Sequence, residues 1–259
     1  MNQTSVSPGD AEGLWLQPAY DALRARQQLL RSPLVSASFG LVLHLFFCVP
    51  FLALDLLRRL HPGIGGYRIR DKPGGSLWRW VGSLGRILVN YLVGVVPATA
   101  LLLSLRSFDM PELAPSCLLL LRQIILALLL FDSLFFLIHI TMHKINWLYQ
   151  HVHRTHHLNY DMFALIAQDA SIPELLSLQF LAIISTVIVG CHPMSELLFH
   201  LLNSWLAVED HCGYDLPFSF HRVIPIFGGA RFHQAHHEKL KGNYAPYFKH
   251  WDWLFGTML

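Results

Sequence analysis

Three stretches of this chain are apolar almost without interruption: 39–57, 87–105 and 118–140. A helix rises about 1.5 Å per residue, so about 20 residues cross a hydrocarbon core of ~30 Å. Each stretch therefore predicts a transmembrane helix. Their few polar residues include His44 and Asp55 in the first, and Arg122 and Asp132 in the third. Arg122 lies close enough to the start of its helix to snorkel to the interface. A further apolar pair, 175–190 and 194–208, turns at Cys191-His192-Pro193. A helix over 175–190 reaches only ~24 Å, which predicts a shallow, re-entrant hairpin rather than two full crossings. Residues 209–259 contain no span and read as a polar cap.

The expected fold class is an all-α integral membrane protein with about three spans, a shallow helical hairpin and a His-rich cap on the cytoplasmic side. An N-terminal polar and amphipathic segment, 1–33, precedes one membrane domain, 34–259. Met1–Asp10 is too polar for a cleavable signal peptide, and Trp15–Leu30 predicts an amphipathic helix lying on the membrane.

Composition agrees with this pattern: 53% of residues are hydrophobic, only 14% are charged, and the net charge is +2. Near-neutrality without a basic stripe argues against nucleic acid as a partner. Loop charge sets the orientation. Arg58, Arg59, Arg68, Arg70, Lys72 and Arg79 place the first loop in the cytoplasm, and Asp109 and Glu112 place the second in the lumen. The third span then ends on the cytoplasmic side. The sequon Asn2-Gln3-Thr4 makes Asn2 a glycosylation candidate if the N-terminus is luminal, although Arg24, Arg26 and Arg31 oppose that placement. Cys48, Cys117, Cys191 and Cys212 show no paired spacing and read as small buried hydrophobes. His61-Pro62-Gly63 looks like a haem-binding loop, but the polar segment around it is too short to fold about a haem.

The chemistry lies in histidines. His139-x-x-x-His143 ends the third span, His153-x-x-His156-His157 follows closely, and His233-x-x-His236-His237 lies in the cap. With 16 histidines in 259 residues, even one such triplet by chance is improbable. Residues three and four apart share a helix face, so each box is expected to aim its rings at one point. Neutral imidazole suits iron, zinc or copper. Eight rings exceed what one ion takes and suggest two metals. Two irons can deliver the electrons that O2 chemistry needs, whereas a zinc site cannot.

The spacing of the three boxes, with an apolar hairpin between the second and third, resembles the sterol desaturase/fatty acid hydroxylase superfamily. Phe131-Asp-Ser-Leu-Phe-Phe136, Val208-Glu-Asp-His-Cys-Gly-Tyr214, His221-Arg-Val-Ile-Pro225, Asn243-Tyr-Ala-Pro-Tyr-Phe248 and His250-Trp-Asp-x-x-Phe-Gly-Thr257 resemble a sterol-hydroxylating branch of it. The resemblance runs from about Trp15 to the last residue. It implies an endoplasmic reticulum membrane enzyme, multi-pass, with its active site facing the cytoplasm. It implies a non-haem di-iron cofactor, O2 as co-substrate, and hydroxylation of a sterol, foremost cholesterol at carbon 25. Other oxidations by the same site are the alternative: C4-methyl sterol oxidation, sterol desaturation or fatty acyl hydroxylation. A metal transporter or a silent sterol-binding paralogue is the reading from another class. The chain shows no NADPH or haem module, so a separate donor is expected, a cytochrome b5 or an NADPH-dependent reductase.

His211 lies where related members place further metal-bound histidines and is a candidate ninth ligand. His200, three helical turns earlier, cannot share a metal with it on a straight helix. The further His-x-x-x-His box of fatty acid hydroxylases is missing, because position 207 is Ala. His44, His61 and His192 read as structural or exposed, and His151 stays open. Metal-bound histidines pass their second ring proton to an oxygen. Asp132, on the helix face of His139, is the leading candidate for that role, ahead of Glu209, Asp210 and Asp252. His221 and His250 are also candidates close to the site, and Asn243 either orients it or caps a helix. Trp147, Tyr149, Trp205, Trp251 and Trp253 read as an interfacial aromatic belt.

Overall fold

A computed structural model describes residues 15–259 apart from 59, 71–75, 106–109 and 160. Asn2, the segment Met1–Asp10, and Arg59, Lys72 and Asp109 of the charge argument lie outside the described residues. Among the described residues the main helices are α1 (Gln17–Arg24), α2 (Pro33–Leu57), α3 (Leu77–Leu105), α4 (Cys117–Lys144), α5 (Ile172–Val189), α6 (Pro193–His211), α7 (Gly229–Lys239) and α8 (His250–Leu254). Among the described residues there are no strands, only two isolated bridges, Arg68 with Tyr214 and Phe227 with Phe248.

Four helices, α2 to α5, are long and apolar enough to cross a membrane. The first arm of the hairpin is therefore longer than expected. Ser171 starts α5 early by accepting from the Glu174 amide at 3.3 Å, and Pro173 occupies the first turn. Proline there lacks only an N–H that would have no helical partner. Eighteen residues give about 27 Å, close to a full crossing. Gly190, in the left-handed region at φ 68°, ends α5, and the His192 ring accepts from the Met194 amide to cap α6. The reading of His192 as structural holds in this form.

Lipid competes for apolar surface, so membrane helices are held by close packing and polar ties rather than by the hydrophobic effect alone. Gln123 of α4 supplies such a tie: its Nε2 donates to Gly190 O at 2.8 Å, and its Oε1 accepts from the His192 amide at 3.1 Å. Gly94, in the π-helical turn Tyr91–Val95 of α3, permits close approach to α5. A Cβ there would meet Ile172 Cγ2 at 2.6 Å. Phe46, Leu92, Leu118 and Phe180 point outward and are mostly exposed, as a lipid-facing surface requires.

The two ends differ. At one end α1 docks on the protein rather than lying free on a surface. Tyr20 is fully buried, its hydroxyl donates to Pro111 O, and its ring sits 4.7 Å from that of His192. The chain breaks at Ala25–Arg26 before the short turn Gln27–Leu30, so no single helix spans 15–30. At the other end converge the C-termini of α2, α4 and α6 and the N-termini of α3 and α5. There Ile69 N donates to Gly213 O, and buried Asp55 accepts from Trp80 Nε1 and the Tyr214 hydroxyl. No disulfide joins the four cysteines, and Cys48 and Cys212 are buried.

Candidate metal centre

Nine histidines gather at this second end in two groups. His139, His143, His153, His157 and His236 form the first, and His156, His211, His233 and His237 the second. Within each group one ring nitrogen per residue lies within 4.8 Å of the others. The groups adjoin, with the His157 and His237 rings 4.4 Å apart. Only His143 is partly exposed; the other eight are buried.

Helix geometry explains the partition. Residues four apart differ by about 40° around the axis, but adjacent residues differ by about 100°. A His-x-x-His-His box on one helix therefore cannot aim all its rings at one point, contrary to the expectation for each box. The second box sends His153 and His157 to the first group and His156 to the second; the third sends His236 to the first and His233 and His237 to the second. The π-helical turn Tyr149–His153 delivers the second box, and such turns concentrate at functional sites.

Second partners fix several rings. His139 Nδ1 donates to Tyr244 O at 2.6 Å, His236 Nδ1 to Gly242 O at 2.7 Å, His153 Nδ1 to Glu174 Oε1 at 2.8 Å and His211 Nδ1 to Ala207 O at 2.7 Å. In a neutral ring the proton is then on Nδ1, and Nε2 presents a bare lone pair. Yet His139 Nε2 faces His153 Nε2 at 2.9 Å while both Nδ1 atoms donate elsewhere. In the second group His211 Nε2 lies 3.1 Å from His156 Nε2 and 2.9 Å from His233 Nε2, rings whose Nδ1 atoms have no partner among the described residues. Where two lone pairs meet they repel unless a cation stands between them. Protonating the rings is opposed: burial, reinforced by neighbouring imidazoles, holds His156, His233, His236 and His237 well below the usual histidine range. The donor set thus fits two adjoining metal ions bound by neutral imidazoles.

A backbone strap, 242–248, orients two of these rings through its carbonyls and is itself held by buried acids. Asp252 accepts from the Tyr244 and Ala245 amides, and Asp132 Oδ1 accepts from Tyr247 N at 2.9 Å and Phe248 N at 3.0 Å. Asp132 therefore bonds to the strap and not to a histidine. Its place on the His139 face does not bring it to a ring, because the strap lies between. Asn243, at φ 50°, donates to Phe232 O and accepts from Leu259 N, tying strap to α7.

The other candidates fall into place around this core. His211 joins the second group, whereas His200 sits 4.0 Å from Glu196 on the same helix. Glu209 accepts from Phe220 N, His221 donates to Asp215, and His151 donates to Trp147 O. Asp210 is buried, and His250 packs against Trp251. Sequence reasoning passed over Glu174. The signal was present, an acid at the head of an apolar helix, but the expected helix began one residue later.

Four helices long and apolar enough to cross a membrane and two adjoining polyhistidine groups that could each hold a metal ion make up this all-helical fold. Residues 124–257 match the fatty acid hydroxylase family model. The chain is 41% identical over 247 residues to cholesterol 25-hydroxylase of Homo sapiens, covering 95% of this chain and 91% of that protein. It is 39% identical over 252 residues to the cholesterol 25-hydroxylase of Mus musculus, covering 96% and 85%. Methylsterol monooxygenase 2-2 of Arabidopsis thaliana is 37% identical over 138 residues, 52% of each chain. No solved structure matches. The chain belongs to the fatty acid hydroxylase family and is an oxidoreductase.

Proposed function

We propose that this protein hydroxylates a sterol, cholesterol at carbon 25, with a non-haem di-iron centre and O2. The nine-histidine partition into two adjoining groups is the observation that carries the metal part. Near-full-length similarity to cholesterol 25-hydroxylases supports the substrate; the methylsterol monooxygenase covers only half of each chain. When bound, two irons would supply the reduction of O2 that hydroxylation of an unactivated C–H bond demands. One oxygen atom enters that bond and the other leaves as water, so two electrons arrive from a separate donor, a cytochrome b5 or an NADPH-dependent reductase, and two protons from the medium.

The chain supplies position. His139, His143, His153, His157 and His236 would hold one ion, and His156, His211, His233 and His237 the other. Strap carbonyls and Glu174 fix ring orientation, which raises ligand basicity and keeps each Nε2 aimed inward. Because α4 delivers His139 and His143 from within a span, a sterol can approach from the lipid while burial excludes bulk water. The arginines of the Arg58–Arg86 segment support a cytoplasmic centre, in the endoplasmic reticulum membrane. Cells expressing the chain and fed labelled cholesterol should accumulate labelled 25-hydroxycholesterol. An iron-loaded protein that makes none refutes the assignment, and a C4-oxidised or desaturated product redirects it.

A further inference from the structure

The surface around the centre has an unusual charge division. Among the described residues at this end, nine of ten acids are buried, and the tenth, Glu238, pairs with Arg70 at 3.3 Å. The arginines nearest the span ends are engaged by those acids: Arg58 and Arg68 by Asp55, Arg79 by Asp161 and Arg86 by Asp169. On the cap, Arg222 and Arg231 share Asp215. Lys144, Arg154, Lys239 and Lys241 are exposed and have no ion pair among the described residues.

These four cations border the first histidine group. Lys144 follows His143, Arg154 follows His153, and Lys239 and Lys241 follow His236 and His237 at the end of α7. His143 is also the one histidine of the nine that is not buried. Eight of the nine rings are buried and His143 is partly exposed, and each unpaired cation lies within five residues of a ring of the first group.

We propose that this rim, Lys144, Arg154, Lys239 and Lys241 around His143, is the docking face for an acidic one-electron carrier protein that reduces the centre. Unlike-charge surfaces steer a partner and raise its on-rate by about 10- to 1,000-fold, an effect that salt removes. Anionic lipid headgroups are the competing occupant of a basic face at a membrane. They fit less well, because the arginines nearest the span ends are already tied to buried carboxylates, while two of the four unpaired cations, Lys239 and Lys241, lie in the 209–259 cap. The inference rests on the proposed redox function, since only a centre that takes electrons needs such a partner.

The test uses iron-loaded full-length protein in nanodiscs of neutral lipid. Bleaching of its ferric absorption is followed in stopped flow, with the soluble haem domain of cytochrome b5 as donor. K239E/K241E and, separately, K144E/R154E should slow the second-order step at least tenfold at low salt. The gap should close toward 1 M salt, where the Debye length falls to ~3 Å. Dithionite at 1 M salt should reduce all forms alike, showing that the centres are intact. Equal rates with the haem domain at low salt overturn the proposal. So does a defect that appears only when phosphatidylserine is added to the discs, which would assign the rim to lipid. The readout is reduction, not product, so a wrong sterol leaves it standing. A chain that binds no iron overturns both readings and is seen first, in its metal content.

Discussion

Consider replacement of Glu174. Its Oε1 accepts from His153 Nδ1 at 2.8 Å, with side-chain exposures of 5% and 2%, so water hardly screens the pair. Outer partners of metal-binding histidines contribute about 10- to 100-fold to metal affinity, or ~1.4 to 2.8 kcal/mol at 1.4 kcal/mol per tenfold. Glu174→Gln keeps an oxygen that can accept the ring proton and removes only the charge, so the low end, about tenfold, is expected. Glu174→Ala also strands a buried N–H donor and should approach about 100-fold. The α5 start should survive both changes, because Ser171 caps it through the Glu174 amide and not the side chain. Iron retained per chain, measured by plasma mass spectrometry across a chelator series, reads the affinity, and circular dichroism reads the helix. If Glu174→Ala holds iron as tightly as the parent, the argument that the carboxylate organises His153 is wrong.

Three further outcomes follow from the geometry. His211→Ala should lower iron toward one ion per chain, whereas His200→Ala should keep two; equal loss in both would remove His211 from the centre. Asp132→Ala leaves the Tyr247 and Phe248 amides without their buried acceptor, about 1–3 kcal/mol each, so thermal unfolding should come several degrees lower. An unchanged midpoint contradicts the strap. Burial, reinforced by neighbouring rings, lowers His156, His233 and His237 in the folded chain, while the unfolded chain takes up their protons near pH ~6.5. Metal-free protein should therefore be most stable above that pH and lose stability as pH falls below it, read as melting midpoints from pH 8 to pH 5. A rise on acidification reverses the sign and sinks the account.

What the sequence disclosed, and what it hid, follows from which atoms act. Histidine boxes are legible because side-chain chemistry recurs at helical spacing, and apolar runs are legible because lipid imposes their length. The strap escaped because Gly242 and Tyr244 act through carbonyl oxygens, which every residue carries. Asp132 stood out as a buried acid, but its bonds run to amides 115 and 116 residues away, a separation that no local pattern reports. Glu174 was lost to a helix boundary, since the Ser171 cap extends α5 past the purely apolar run. The division of each His-x-x-His-His box between two groups was foreseeable from 100° per residue, yet only the packing of α6 and α7 against the second box reveals which ring goes where.

The bond from His139 to the Tyr244 carbonyl joins residues 105 positions apart, with α5 and α6 synthesised in between. During translation, His139 and His143 emerge long before the carbonyl and the His236 ring that complete their group. The early boxes must wait, half-assembled, until the stretch from His233 to Tyr244 leaves the ribosome and folds back over them. On the proposed di-iron reading, metal delivery therefore belongs after the spans are inserted, and a chain stalled before residue 244 would reach the bilayer with its spans in place and its first histidine group incomplete.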